Sequence, residues 1–377
     1  MKYMGSKRTM LAGGLNDIIE RNVKDCDRFV DLFTGSGSVA CFVAENFEVP
    51  VIATDLQDYA ATLARSVVAR NAPIKFNDWA PGWISRAICL AEKANEGLPS
   101  ASLQSKLNLD RIASQANRAR KICSRSDSDF VRAYGGWYFS PWQAVLLDSL
   151  RKSIEPGASW ECVAIASVIQ AASRCVASPG HTAQPFKAET RAAPFLLESW
   201  QRDIIAHVSV CADELSGRCA RVIGDAYTAD ANQVALALND KDLAFIDPPY
   251  SSVHYSRFYH VLESLARGRV GEVSGEGRYP SPADRPSSSY SIPTKAECAL
   301  NNLLQRIAAT GATAIVTFPA ATASNRLSGE RIKELASKNF EIVENRFLSR
   351  FSTLGGDRKH RSARQDSEEL ILTLRPR

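Results

Sequence analysis

The sequence predicts an α/β fold: a parallel, doubly wound sheet interrupted by a mainly helical insertion. Short apolar runs ending in glycine or acidic turns alternate with helical patterns towards both ends of the chain, as strands and crossover helices of a parallel sheet do. Between them, residues 73–200 read as helix after helix. The 377 residues are 45% hydrophobic and 23% charged, an ordinary globular composition, which suits one large domain with an insertion or two domains. The boundaries expected are 1–72 and 201–377 for the two halves of the sheet domain and 73–200 for the insertion.

Residues 10–21 carry helical spacing. Arg28-Phe29-Val30-Asp31-Leu32-Phe33 is a short strand pattern, Thr34-Gly35-Ser36-Gly37-Ser38 a turn, and residues 39–47 a helix. The next strand covers 49–54 and ends on Asp55. In the insertion, Ser140-Pro141 is a helix start, because serine caps and proline fits the first turn. Val145, Leu146, Leu150 and Ile154 form its apolar face, and Pro156-Gly157 stops it. Ser159 opens a second helix, apolar nearly throughout to Val176 and so expected to be buried. The earlier stretch 102–125 is basic, with Lys106, Arg111, Arg118, Arg120, Lys121 and Arg125. Strands resume at Arg221-Val222-Ile223, at 243–246 and at 313–318. A helix over 255–266 and a Gly-, Ser- and Pro-rich loop over 268–291 separate the last two, and loops of that length are usually functional or disordered. Two further strands, 341–351 and 369–374, are joined by the polar, basic stretch 355–366.

The most informative residues are Asp247-Pro248-Pro249-Tyr250, just past the buried strand. They suit the methylation of an exocyclic amine on a nucleobase, whose lone pair is delocalised into the ring. Two acceptors aimed at the N–H groups would draw the nitrogen towards a tetrahedral shape and free that pair. Asp247 offers one acceptor. Proline fixes φ and lacks an N–H, so the turn can hold the Pro248 carbonyl outward as the second, with Pro249 keeping it rigid. Tyr250 offers a face for a base lifted out of its stack. A strand ending in a plain proline turn would look the same in isolation.

Phe33-Thr34-Gly35-Ser36-Gly37 follows a strand and precedes a helix, the context of a nucleotide-binding glycine turn. Asp55, at the end of the next strand, stands where a carboxylate would bind the ribose hydroxyls of an adenosyl cofactor. Ala40 replaces the third glycine of a dinucleotide site, which by itself leaves a nicotinamide cofactor open. Asp225 is read as ending the strand that starts at Arg221, where it could accept from the cofactor's adenine amine; a solvated turn is the alternative. His181, His254, Tyr255 and Tyr259 read as loop surface within reach of a base or phosphate. Arg346, Arg350, Arg358, Lys359, Arg361 and Arg364 could hold phosphates or simply line a solvated strand.

The net charge of +5 permits a nucleic-acid partner without requiring one. Nine cysteines lie scattered with no C-x-x-C pair, so neither a metal site nor a disulfide framework is expected. No signal peptide and no apolar run long enough for a bilayer stand in the sequence, so a cytoplasmic protein with no membrane partner is expected.

Together these pieces resemble the DNA adenine N6-methyltransferases, the family of the DNA adenine methylase and many restriction-modification methylases. Tyr3-Met4-Gly5-Ser6-Lys7 stands where the family has an aromatic–x–Gly–x–Lys stretch, with Ser6 in place of the more usual glycine. Phe33 to Gly37 matches its cofactor turn, Asp55 its ribose-binding acid, Asp225 its pre-catalytic acid, and Asp247 to Tyr250 its catalytic motif. The order is similar to the alpha arrangement, and the match covers residues 1–72 and 201–377. The resemblance implies a Rossmann-like sheet and S-adenosylmethionine as methyl donor. It implies cofactor binding by Tyr3, Lys7, Phe33, Gly35, Gly37, Asp55, Asp225 and Asp247, and catalysis by Asp247, Pro248, Pro249 and Tyr250. It implies DNA as partner, its adenine flipped out of the duplex, recognition by the insertion and, in a restriction-modification system, a cognate restriction endonuclease. Cytosine N4 and RNA bases use the same chemistry and stay open as substrates, and a non-enzymatic DNA-binding fold is the remaining alternative.

Overall fold

The computed structural model describes residues 7–96, 107–179, 181–350 and 366–377, and the chain is mixed α/β. The strands among the described residues are β1 (Arg28–Asp31), β2 (Val51–Asp55), β3 (Asp225–Thr228), β4 (Asp242–Ile246), β5 (Val273–Ser274), β6 (Tyr279–Pro280), β7 (Thr313–Pro319), β8 (Phe340–Arg350) and β9 (Asp366–Pro376). Seven of them form one sheet in the order β3-β2-β1-β4-β7-β9-β8, while β5 and β6 pair as a separate hairpin. The sheet is mostly parallel: only β9 runs against its neighbours, β7 and β8.

Strand β4 lies at the middle of the sheet and is buried along its whole length, as a parallel strand covered on both faces must be. Its side chains alternate between two cores with the strand's period of two. Ala244 and Ile246 join Val30, Val316, Leu370 and Leu372 under the helix Ala296–Thr310. Leu243 and Phe245 join Phe29, Ile315 and Ile371 under the helices Asn16–Val23 and Ser38–Asn46.

The chain divides into two compact units. The sheet unit takes in Gly5–Ala72, Cys219–Tyr255 and Pro286–Arg377. The helical unit takes in Pro73–Arg218 together with Ser256–Arg285. In the latter, the helix Pro141–Lys152 starts on a capping box in which Ser140 and Gln143 satisfy each other's backbone N–H groups. The apolar helix Glu161–Cys175 is buried along most of its length. Trp79 stacks on Trp83 at 5.6 Å and on Trp160 at 5.2 Å.

Three local expectations are corrected. Arg221-Val222-Ile223 is not a strand; the ladder begins only at Asp225. The backbone there is used elsewhere, since the Arg221 N–H donates to the Ala44 carbonyl at 2.7 Å and the Gly224 N–H to the Val68 carbonyl at 2.9 Å; a Cβ at Gly224 would lie 2.0 Å from the Val51 carbonyl oxygen. The helix over 255–266 is broken into Tyr255–Phe258 and His260–Arg267, with Tyr259 between them at φ −130° and 1% exposed rather than on the surface. Residues 268–291 hold the β5–β6 hairpin and two 3₁₀ turns, Pro282–Asp284 and Ser289–Ser291, rather than an unstructured loop. Residues 355–365 of the basic stretch lie outside the described residues.

Candidate active site

Strand β1 runs out at Asp31, and the glycine turn follows. Gly35 (φ 53°) and Gly37 (φ 73°) both take the left-handed conformation, which costs other residues roughly 1–2 kcal/mol. Gly37 then caps the helix Ser38–Asn46. Asp55, at the end of β2, ties this turn down: its Oδ2 accepts from the Gly35 N–H at 2.9 Å and its Oδ1 from the Gln57 N–H at 3.0 Å. Burial pushes the Asp55 carboxyl up to about 6 although these bonds pull the other way. Asp31 itself is 1% exposed and accepts from the Phe33 N–H at 3.2 Å. Burial pushes it up to about 8, and the charges of Asp247 and Asp55 push in the same direction.

One strand over, β4 ends at Ile246 and delivers Asp247 into a buried ionic cluster. Lys7 Nζ lies 3.1 Å from Asp247 Oδ1 and donates to Glu369 Oε2 at 2.8 Å. The side chains of Lys7 and Glu369 are 3% and 4% exposed, and that of Asp247 17%. Thr317 on β7 donates its hydroxyl to the same Oδ1 at 2.9 Å. Burial alone would lower Lys7, but Asp247 and Glu369 outweigh it and hold the ammonium above its ordinary range. Burial pushes Asp247 up to about 6, with Lys7 opposing. One ammonium facing two carboxylates leaves the cluster with an excess negative charge. Among the described residues both contacts of Asp247 fall on Oδ1, which leaves Oδ2 for an incoming donor.

The proline turn is fixed from behind. Asn325, fully buried, donates through Nδ2 to the Pro249 carbonyl at 2.9 Å and the Tyr290 carbonyl at 3.0 Å, while its Oδ1 accepts from the Leu327 N–H at 3.2 Å. Pro248 is buried. The Tyr250 ring meets Phe318 edge-on at 6.4 Å, and Phe33 meets Tyr290 edge-on at 5.0 Å.

Of the residues singled out from sequence, Lys7 meets Asp247, and Asp55 meets the Gly35 turn. Tyr3 lies outside the described residues. Asp225 is not brought to them. It opens β3 rather than ending it, with Ile52 as its register partner, whereas Asp55 is paired with Thr228. Three residues of extended chain are about 10 Å, and Asp225 spends its charge on Arg65 at 3.2 Å. Arg346 is engaged by Glu330, Glu344 and Glu368, which makes its strand a salt-bridged face. His181 packs on Phe258 at 5.1 Å. Arg111 and Arg118 of the basic stretch, with Trp142, Trp200 and Arg202, line a groove of about 840 Å³ within the helical unit. Among the described residues, no cluster of His, Cys, Asp and Glu could hold a metal, and no helix is long and apolar enough to cross a membrane.

Sequence reasoning passed over Asp31, Thr317, Asn325 and Glu369. Only Glu369 carried a signal, as a carboxylate opening the apolar run Leu370-Ile371-Leu372, and its partner is 362 residues away.

A mostly parallel α/β sheet with a glycine turn after β1 and a proline turn after β4 is consistent with a methyltransferase. Comparison with known proteins agrees. Residues 3–80 match the D12 class N6 adenine-specific DNA methyltransferases, which bears out the resemblance carried by the motifs. The chain is also similar to the Type II methyltransferase M.FokI of Planomicrobium okeanokoites, 22% identical over 73% of this chain and 38% of that protein. It is likewise similar to the modification methylase LlaI of Lactococcus lactis subsp. lactis, 22% identical over 81% of this chain and 44% of that protein. The chain thus matches less than half the length of either relative.

Proposed function

We propose that the chain is a site-specific DNA methyltransferase that transfers a methyl group from S-adenosylmethionine to the N6 amine of adenine, as part of a restriction-modification or solitary methylation system. The observation that carries this reading is Asp247: one carboxylate oxygen is tied to Lys7 and Thr317 and the other is left for a donor. An amide-like amine needs such an acceptor, held still in a site of low dielectric, where preorganised dipoles act most strongly. The sheet is read as Rossmann-like, with residues 73–200 as the DNA-recognition insertion.

The residues fit the cofactor. Lys7, Phe33, Gly35, Gly37 and Asp55 would hold it: the left-handed glycines let the backbone approach a ligand, and Asp55 faces the turn as a ribose acceptor. The negative excess around Asp247 favours a cationic sulfonium. When bound, the cofactor supplies an electrophilic methyl group. Asp225, at the start of β3 and paired with Arg65, would accept from the cofactor's adenine amine.

The chain's own residues do the rest. The adenine, unstacked at a cost of about a few kcal/mol, rests on Tyr250. Its N–H groups donate to Asp247 Oδ2 and to the Pro248 carbonyl, which frees the nitrogen lone pair. Asn325 keeps the turn from yielding, so the acceptors need no reorganisation as charge develops. Positive charge growing on the nitrogen is stabilised by the anionic cluster, and Lys7 keeps Asp247 ionised at neutral pH.

The test is to incubate the purified protein with S-adenosylmethionine and unmethylated DNA, digest to nucleosides and analyse the bases by mass spectrometry. N6-methyladenine is expected. Asp247→Asn should lower its formation by about 100- to 1,000-fold, the scale of losing one preorganised group, with cofactor affinity little changed. N4-methylcytosine in place of N6-methyladenine would overturn the choice of base.

A further inference from the structure

Within the helical unit, the segment Ser256–Arg285 carries an arrangement that the methyl-transfer site does not use. The Tyr279 ring, at the start of β6, has two guanidinium groups over it: Arg257 at 4.6 Å from the ring centroid and Arg285 at 5.8 Å. Stacking holds a guanidinium plane in place and leaves its N–H edge free for other partners. Neither side chain forms an ion pair or hydrogen bond among the described residues, and Arg285 Nε is buried without an acceptor. Three of the segment's four carboxylates are occupied elsewhere, and the fourth, Glu272, is exposed. Glu263 pairs with Arg267 at 2.7 Å, Glu276 with Lys187 at 3.2 Å, and Asp284 accepts from the Ser281 hydroxyl at 2.8 Å. His260, 5.2 Å from Tyr279, brings no negative charge. Burial first, and then the charges of Arg285 and Arg257, hold it down at about 4.

Two like charges on one ring with no counterion repel each other, and a buried N–H with no acceptor carries its desolvation cost unpaid. Both penalties vanish if an anion with several acceptor oxygens enters between the two forks. A tetrahedral oxyanion is the match, because guanidinium N–H edges bind phosphate in bidentate fashion. The arrangement continues along the hairpin. Arg278, held at φ 50° and anchored by Nε to the Ala133 carbonyl at 2.9 Å, lies over Trp137 at 5.4 Å, with Arg120 over the same ring at 3.8 Å. Neither of these arginines forms an ion pair among the described residues. Two aromatic platforms, Tyr279 and Trp137, thus each carry a pair of arginines.

We propose that Arg257, Tyr279 and Arg285 form a clamp for one phosphodiester of the DNA backbone, with Arg278 and Arg120 on Trp137 as the neighbouring phosphate contact. The identity of the phosphate as DNA rests on the function proposed above. The clamp is sequence-independent: it sets grip and register, not base choice.

The test compares the wild type with Arg257→Gln/Arg285→Gln, measuring the fluorescence anisotropy of a labelled mixed-sequence duplex over a series of salt concentrations. The double variant should bind about tenfold more weakly or worse, and its log–log salt slope should fall by about one, the signature of one lost phosphate contact. Its affinity for S-adenosylmethionine should be unchanged and its melting temperature equal or higher, since a repulsive pair has been removed. Tyr279→Phe should keep duplex binding and Tyr279→Leu should weaken it. Unchanged duplex affinity and slope in the double variant would overturn the clamp, as would a lowered melting temperature with loss of cofactor binding, which marks a structural role. Pyrophosphate separates the clamp from the reading it rests on. If the wild type neither binds nor methylates DNA, yet pyrophosphate raises its melting temperature and not that of the double variant, the clamp stands and DNA falls.

Discussion

Lys7 shares its ammonium between Asp247 and Glu369 at 3% exposure, and a charge so buried is costly to unbalance. Lys7→Met leaves two carboxylates facing each other, and urea unfolding should show a loss of about 3–5 kcal/mol, the usual result of breaking a buried pair from one side. The same change should move the acid limb of the pH–rate profile. Asp247 is pushed up to about 6 with Lys7 restraining it, so methylation should fall as pH drops through about 6 in the wild type and at a higher pH in Lys7→Met. An acid limb that stays where it was would remove Asp247 as the group being titrated. Asp31 tells a second story about protons. Its carboxyl is raised from 3.8 to about 8 in the folded protein, so the folded state holds the proton more tightly than the unfolded one. Its contribution is fully present below 3.8 and is lost as pH rises through 8. Asp31→Asn, which mimics the protonated acid, should therefore flatten the decline in stability between those values, measured by denaturant unfolding across pH. An unaltered decline would mean that other groups cause it.

At the scale of elements, the proline turn depends on a residue that sequence reading did not reach. Asn325 holds two carbonyls and one N–H around the turn. Asn325→Ala should cost about 1–3 kcal/mol for each polar group stranded in the interior, and turnover should fall while cofactor affinity holds. A drop in cofactor affinity alone would point to the glycine turn instead. What the sequence made legible follows from locality. Strand β1, its glycine turn, β2 with Asp55, and β4 with the proline turn announce themselves through apolar runs and turn residues a few positions apart. The start of β3 is not legible locally, because the N–H groups of Arg221 and Gly224 go to the carbonyls of Ala44 and Val68, far away in the sequence. Thr317 and Asn325 act on groups that are neighbours only in space, and nothing local distinguishes them from ordinary polar residues; Glu369 showed only as a carboxylate opening an apolar run. The broken helix at Tyr259 was hidden for the same reason: the break buries an aromatic ring that the local pattern could place on either face.

For the whole molecule, two compact units imply two separable responses to ligands. Binding stabilises what it touches by mass action. S-adenosylmethionine should slow amide hydrogen exchange at residues 32–37 and 55–57 of the sheet unit. Added DNA should slow it at Arg111 to Arg118 and at residues 257–285 of the helical unit. Protection by the cofactor confined to the helical unit would contradict the assignment of the glycine turn.

Strand β9 sits between β7 and β8 and carries Glu369, the second carboxylate on Lys7. On the ribosome, Lys7 is therefore made 362 residues before the partner that completes its cluster, while β8 has no neighbour linking it to β7 until β9 arrives. A nascent chain stopped anywhere short of Glu369 holds both prolines, the tyrosine and the glycine turn, yet lacks a closed sheet behind Asp247. Translation products that stop short of Glu369 should thus be inert, because competence waits on the strand that carries it.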